Sequence, residues 1–99
     1  MSRYSFLSRQ EYLNALNKLR AALLAAKDGS EVDEIINSLL TNDERLKIGR
    51  RIQVANLLKK RMSYEEITTL LKVGNATIAQ IDKQLQRYPL GFALIARIC

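Results

Sequence analysis

Along NATIAQIDKQL, residues 75–85, Asn75, Ala76, Ala79, Gln80 and Lys83 recur about one helical turn apart. On a helix that spacing gathers them on one face. A carboxamide carries a donor and an acceptor side by side, so Asn75 and Gln80 can each pair bidentately with an adenine edge, while Ala76 and Ala79 let the backbone approach a groove floor. Asn75, Ala76, Ala79 and Gln80 are therefore candidate base contacts. Lys59, Lys60, Arg61, Lys72, Thr77 and Lys83 are candidate phosphate contacts around them. The expected partner is double-stranded DNA. A helical hairpin with a solvated polar face gives the same local pattern, and the surrounding charge favours the DNA reading.

That charge is unevenly distributed. Residues 1–40 hold five basic and five acidic side chains, whereas residues 41–88 hold ten basic against five acidic, so nearly all of the net charge of +6 lies with the polar face. A polyanion is the partner that such a block attracts.

Composition removes most other chemistry. The 99 residues include no histidine and one cysteine, Cys99, so zinc sites, Cys/His nucleophile pairs, histidine general bases and an internal disulfide are excluded, and neither a metal nor a cofactor is expected. Asp43–Glu44 and Glu65–Glu66 are explained by the preference of carboxylates for helix starts, and no glycine-rich phosphate loop is present. An enzyme is not expected. The opening MSRYSFLSRQEYL lacks the apolar stretch of a signal peptide, and no window approaches 18 apolar residues. The reading is a cytoplasmic protein without a membrane partner.

The elements that must hold this face are legible from capping signals. A Ser or Thr stands three residues before an acid at Ser8/Glu11, Ser30/Asp33, Thr41/Glu44 and Ser63/Glu66, the spacing of a capping box. Helices are predicted over about 9–27, 31–40, 42–60, 64–71, from 74 or 75 to about 85, and 90–98. The first carries Tyr12, Leu13, Leu16, Leu19, Leu23 and Leu24 on one side, with Asp28–Gly29 as its stop. The third has apolar residues on more than one stripe and should be buried on more than one side; Gly49 within it suits a close helix approach. The fourth and fifth, with Ile67, Leu70, Leu71, Ile78, Ile81 and Leu85 inward and about three residues between them, form a helix-turn-helix at about 63–86. Tyr88 and Phe92, flanking Pro89, should pack on the core, and the apolar last helix should be buried in a dimer. Tyr64 could touch a phosphate or cover the helix junction. Arg50 and Arg51 could face DNA, a partner's acids or solvent. The fold class is all-α, a single helical domain over 1–99 at a size where dimerisation is plausible. A protein-interaction module docking on another regulator is the alternative function.

The run LLTNDERLKIGRRIQVANLLKKRMSYEEITTLLKVGNATIAQIDKQL, residues 39–85, resembles the core of the Trp repressor superfamily, with its LT-x-x-E opening, Gly/Ala-x-R helix and ATI-containing second motif helix. The third-helix spacing and the tail RYPLGF look closest to the Trp-repressor-like YerC/YecD group. The resemblance implies an intertwined homodimer, dimerising through N-terminal helices over 9–40, that regulates transcription, as a repressor does, by placing the second motif helix in the major groove.

The same resemblance locates a ligand pocket and its alteration. Arg51 stands at the first arginine that brackets the corepressor, Gln80 at the second, and Ile81 at the glycine beside which the indole lies. The pocket is expected to be closed and tryptophan not to bind. Glu65 and Thr68 replace basic phosphate contacts of the first motif helix. Lys72 stands at the usual turn glycine, where a positive φ would cost about 1 kcal/mol, so a strained or slightly altered turn is expected.

Overall fold

The computed structural model describes residues 3–97; Cys99 and the expected end of the last helix at Ile98 lie outside the described residues. The all-α expectation is borne out: the described residues form α1 (Arg9–Ala25), α2 (Gly29–Leu39), α3 (Asn42–Lys59), α4 (Tyr64–Leu71), α5 (Asn75–Arg87) and α6 (Pro89–Ile95), with no strand among them. No helix among them is long and apolar enough to cross a membrane. The chain falls into two compact units, one ending at Asn42 and one beginning at Asp43.

In the first unit α1 packs on α2. A complete capping box starts α1. Ser8 Oγ accepts from the Glu11 amide at 3.1 Å, and Glu11 Oε1 accepts from the Ser8 amide at 2.9 Å. Hydrogen bonding to the carboxylate by the Ser8 backbone first, and by the Ser8 side chain second, holds the Glu11 carboxyl below its ordinary value of 4.5. The Ser30 cap expected for α2 is not the one used. Asp28 is two residues closer to α1, and its carboxylate accepts from the Glu31 amide at 3.0 Å, so α2 begins at Gly29. Glu31 in turn accepts from the Lys27 amide at 2.9 Å. Because residues 26 to 28 must run extended to bring Asp28 into that position, α1 stops at Ala25 and not at Lys27. No residue of α1 or α2 is buried, and Leu23 and Leu24 are 67% and 70% exposed.

The second unit has a small aliphatic core: Val54 and Ala55 of α3, Ile67 of α4, Val73 of the connection, and Ile78 and Ile81 of α5. Leu57, Leu58, Met62, Tyr64, Leu71 and Phe92 pack against it. Burial of α3 in this unit is confined to its C-terminal half, since Leu46 and Ile48 are exposed, contrary to the expectation of a helix covered on several sides. A Cβ at Gly49 would meet nothing within 4 Å, so no close approach within the chain requires that glycine.

The end of α3 is a Schellman turn: the Met62 amide donates to Leu57 O at 3.1 Å, the Arg61 amide to Leu58 O at 2.9 Å, and Arg61 is left-handed with φ 64°. Leu57 and Met62, which that turn brings together, both lie on the core. Ser63 then caps α4 as expected, accepting from the Glu66 amide at 3.1 Å. On this short helix the seam facing the core runs through Ile67 and Leu71, one turn apart, which turns Leu70 outward; it is 59% exposed and not inward as expected. Past α5, Pro89 occupies the first turn of α6, where its missing N–H is no loss. Phe92 reaches the core, but Tyr88 does not: it is exposed, with the Arg87 guanidinium 5.3 Å from its ring centroid.

One side-chain bond ties the start of α4 to α5. The half-buried Tyr64 hydroxyl donates to Asp82 Oδ2 at 2.7 Å, so Tyr64 covers the helix junction. Asp82 also accepts from Gln86 Nε2 at 3.3 Å.

Two outcomes follow for stability. Ile67→Ala should cost about 2–4 kcal/mol, the usual range for emptying a closed aliphatic site, while Leu70→Ala should stay within about 0.5 kcal/mol; urea unfolding of both variants checks the contrast. The bond to Asp82, with desolvation and the carboxylate charge behind it, raises the Tyr64 pKa above 10.0. A raised folded-state pKa gives stability that is whole below the unfolded value and is lost as pH climbs through the folded one. The difference in melting temperature between the natural chain and Tyr64→Phe should therefore hold up to about pH 10 and shrink above it. A gap that stays constant in strong alkali would contradict this.

Candidate nucleic-acid interface

The connection Lys72–Val73–Gly74 between α4 and α5 is fixed from both ends. Lys72 terminates α4 in the left-handed region, φ 58° and ψ 47°, with its amide on Thr68 O at 2.8 Å. The expected strain at this lysine is present, and the glycine of the turn does not relieve it. Gly74 has φ −72° and serves as the N-terminal cap residue of α5 without a side-chain bond. Val73 between them is buried and anchors the turn in the core.

Arg50 of α3 closes the turn from outside. Its guanidinium donates to Leu71 O, and to Lys72 O at 3.3 Å. A cation on the free carbonyls at a helix C-terminus satisfies acceptors that the helix leaves open and complements the negative end of the dipole. Arg50 remains exposed to solvent, and the turn contact is one its sequence position did not announce. Across the turn, Thr68 Oγ1 donates to Asn75 Oδ1 at 3.2 Å, fixing the amide of the first α5 residue. Thr68 thus orients Asn75 where the resemblance placed it among former phosphate contacts.

With Ile78 and Ile81 buried, the outer face of α5 follows. Asn75, Ala76, Thr77, Gln80 and Lys83 are exposed, and Ala79 is half-buried. Asn75 and Ala76 sit on the first turn of α5, beyond the connection. Lys59, Lys60 and Arg61 are exposed at the end of α3.

Other candidate residues come together in one groove of about 940 Å³ in the second unit. Arg51, Lys72, Thr77, Gln80, Ile81 and Lys83 line it, along with Lys47 and Arg87, which spacing alone did not single out. Lys59, Lys60, Arg61, Asn75, Ala76 and Ala79 are not part of its lining. Ile81 is turned into the core and is 5% exposed, while Gln80 stays at the surface.

Residues 14–97 match the family described as Trp repressor protein. Over 64 residues the chain is 42% identical to the Trp operon repressor homolog of Mannheimia succiniciproducens, covering 64% of this chain and 62% of that relative. Over 90 residues it is 34% identical to the Trp operon repressor homolog of Pasteurella multocida, covering 88% of this chain and 84% of the other. The chain thus spans less than two thirds of the first of these relatives and most of the second. No solved structure matches. The family match runs unbroken across α2 to α6 and takes in the turn, the exposed face of α5 and the cationic groove; the chain belongs to the Trp repressor family.

Proposed function

We propose that this chain is a DNA-binding transcriptional repressor, acting as a homodimer, and not an enzyme. The observation that carries the reading is the α4–turn–α5 unit. Two short helices share one aliphatic core, and the second exposes Asn75, Ala76, Gln80 and Lys83 on the side away from it. Asn75, Ala76, Ala79 and Gln80 face the base edges in this reading, with Lys59, Lys60, Arg61, Lys72, Thr77 and Lys83 on phosphates. The family supports the repressor reading, two relatives being named as homologs of an operon repressor.

The dimer reading rests on the first unit. Its helices leave no residue fully buried, and α1 carries an apolar hollow of about 390 Å³ lined by Leu16, Leu19, Leu23 and Leu24 with Arg20 at its side. A helical pair of about 40 residues does not build a sufficient core alone, and a second copy supplies the missing apolar surface. Selection on random duplex DNA should therefore return two half-sites related by a two-fold axis, about one helical turn apart, and binding should fall steeply with added salt. Recovery of no preferred sequence would overturn the proposal and favour docking on a protein regulator.

Tryptophan is not the corepressor in this reading. Neutral Gln80 cannot stack as an arginine plane does, and Ile81 puts a branched side chain on the groove floor where the resemblance has a glycine. A ligand shifts an equilibrium only through differential affinity for its states. Titration calorimetry at millimolar tryptophan should give no saturable heat, with operator affinity unchanged; a saturable heat accompanied by tighter operator binding would reverse this reading.

A further inference from the structure

We propose that the groove between α3, the turn and α5 binds a compact polyanion carrying two or more phosphate groups, apart from any contact with DNA. Lys47, Arg51, Lys72, Lys83 and Arg87 line it, and no carboxylate does. Arg50 also reaches its wall, but its guanidinium is engaged on the turn carbonyls. Asp82, the only acid of α5, belongs to another side of the helix, where Tyr64 and Gln86 hold it. Like charges gathered in a concavity raise one another's energy, and a multiply charged ligand relieves that repulsion at every side chain it touches.

The donor set selects the ligand class. Lysine ammonium groups act as point charges on phosphate oxygens, arginine adds a two-pronged donor, and Thr77, Gln80 and Gln84 supply neutral polar groups between them. Tetrahedral groups with several terminal oxygens accept from these directions at once. The floor is aliphatic, formed by Val54, Val73 and Ile81, and a volume of about 940 Å³ suits a small molecule. Lys72, Thr77 and Lys83 also stand among the proposed DNA phosphate contacts. Occupancy by a polyphosphate would therefore compete with DNA, and that regulatory consequence rests on the DNA reading, whereas the binding itself does not.

Inorganic tripolyphosphate titrated into the full chain tests the site by calorimetry. The expected result is saturable binding of one anion per chain, weakened roughly tenfold or more in Lys47→Gln/Arg51→Gln, since two charge-assisted contacts are removed. Arg9→Gln/Lys18→Gln takes the same charge from the first unit and should change affinity less than about twofold. Both pairs are exposed side chains whose glutamine variants keep polar stems, and far-ultraviolet circular dichroism verifies that each remains helical. Absence of saturable binding, or equal weakening in both double variants, would overturn the site and leave only bulk charge. On the regulatory arm, tripolyphosphate should release bound duplex DNA while orthophosphate at equal ionic strength should not; equal release by both would reduce the competition to salt. The two proposals fail separately: sequence selection without tripolyphosphate binding removes the groove site alone, and tripolyphosphate binding without sequence selection removes the repressor reading alone.

Discussion

A three-residue connection obliges α4 and α5 to bury their apolar faces in the same small core. Neither helix can rotate without exposing Ile67 on one side or Ile78 and Ile81 on the other, so the direction of the α5 polar face is settled by the residues opposite to it. The surrounding contacts refine this arrangement. Val73 pins the turn to the core, Arg50 satisfies its outward carbonyls, Thr68 holds Asn75, and Tyr64 reaches across to Asp82. Each ties the turn or one helix to a neighbouring element, and together they convert a hairpin of short helices into a unit with a fixed crossing.

What could be read from the sequence was what is decided locally. The starts of α1, α3, α4 and α5 follow from residues within one turn of each other, and the buried isoleucines of α5 follow from helical periodicity. The start of α2 was ambiguous because Asp28 and Ser30 are both competent caps two residues apart, and only the path of the chain leaving α1 selects between them. Leu70 and Tyr88 escaped because an apolar side chain at helical spacing says nothing about how wide the seam is that receives it. The Arg50 and Tyr64 contacts span 21 and 18 residues or more and depend on how the helices cross, for which no short spacing exists. The groove was half legible. Six of its lining residues were candidates for separate reasons, but their convergence with Lys47 and Arg87 is a property of the folded unit.

The two units use their apolar residues differently. From Asp43 onward a handful of aliphatic side chains is closed off, Val54, Ala55, Ile67 and Ile78 completely, while the earlier helices display leucines at the surface. Local signals are as clear in α1 as in α4, including its full capping box, so helix formation and core formation are separable in this chain. Capping and periodicity specify where helices lie; they do not specify whether the apolar stripe is satisfied by the same molecule.

Arg61 and Lys72 are the two residues other than glycine with positive φ among those described, and both carry a cationic side chain at the end of a helix. Glycine is the ordinary occupant of such positions, so the backbone and the side chain make opposing demands there. A laboratory lineage passaged only for heat tolerance would be expected to drift toward glycine at both, relaxing about 1 kcal/mol at each while subtracting two of the sixteen positive charges from the basic half of the chain. Robustness and charge are thus antagonistic traits at these two positions, and a consensus-style redesign that followed backbone geometry alone would trade one for the other unnoticed.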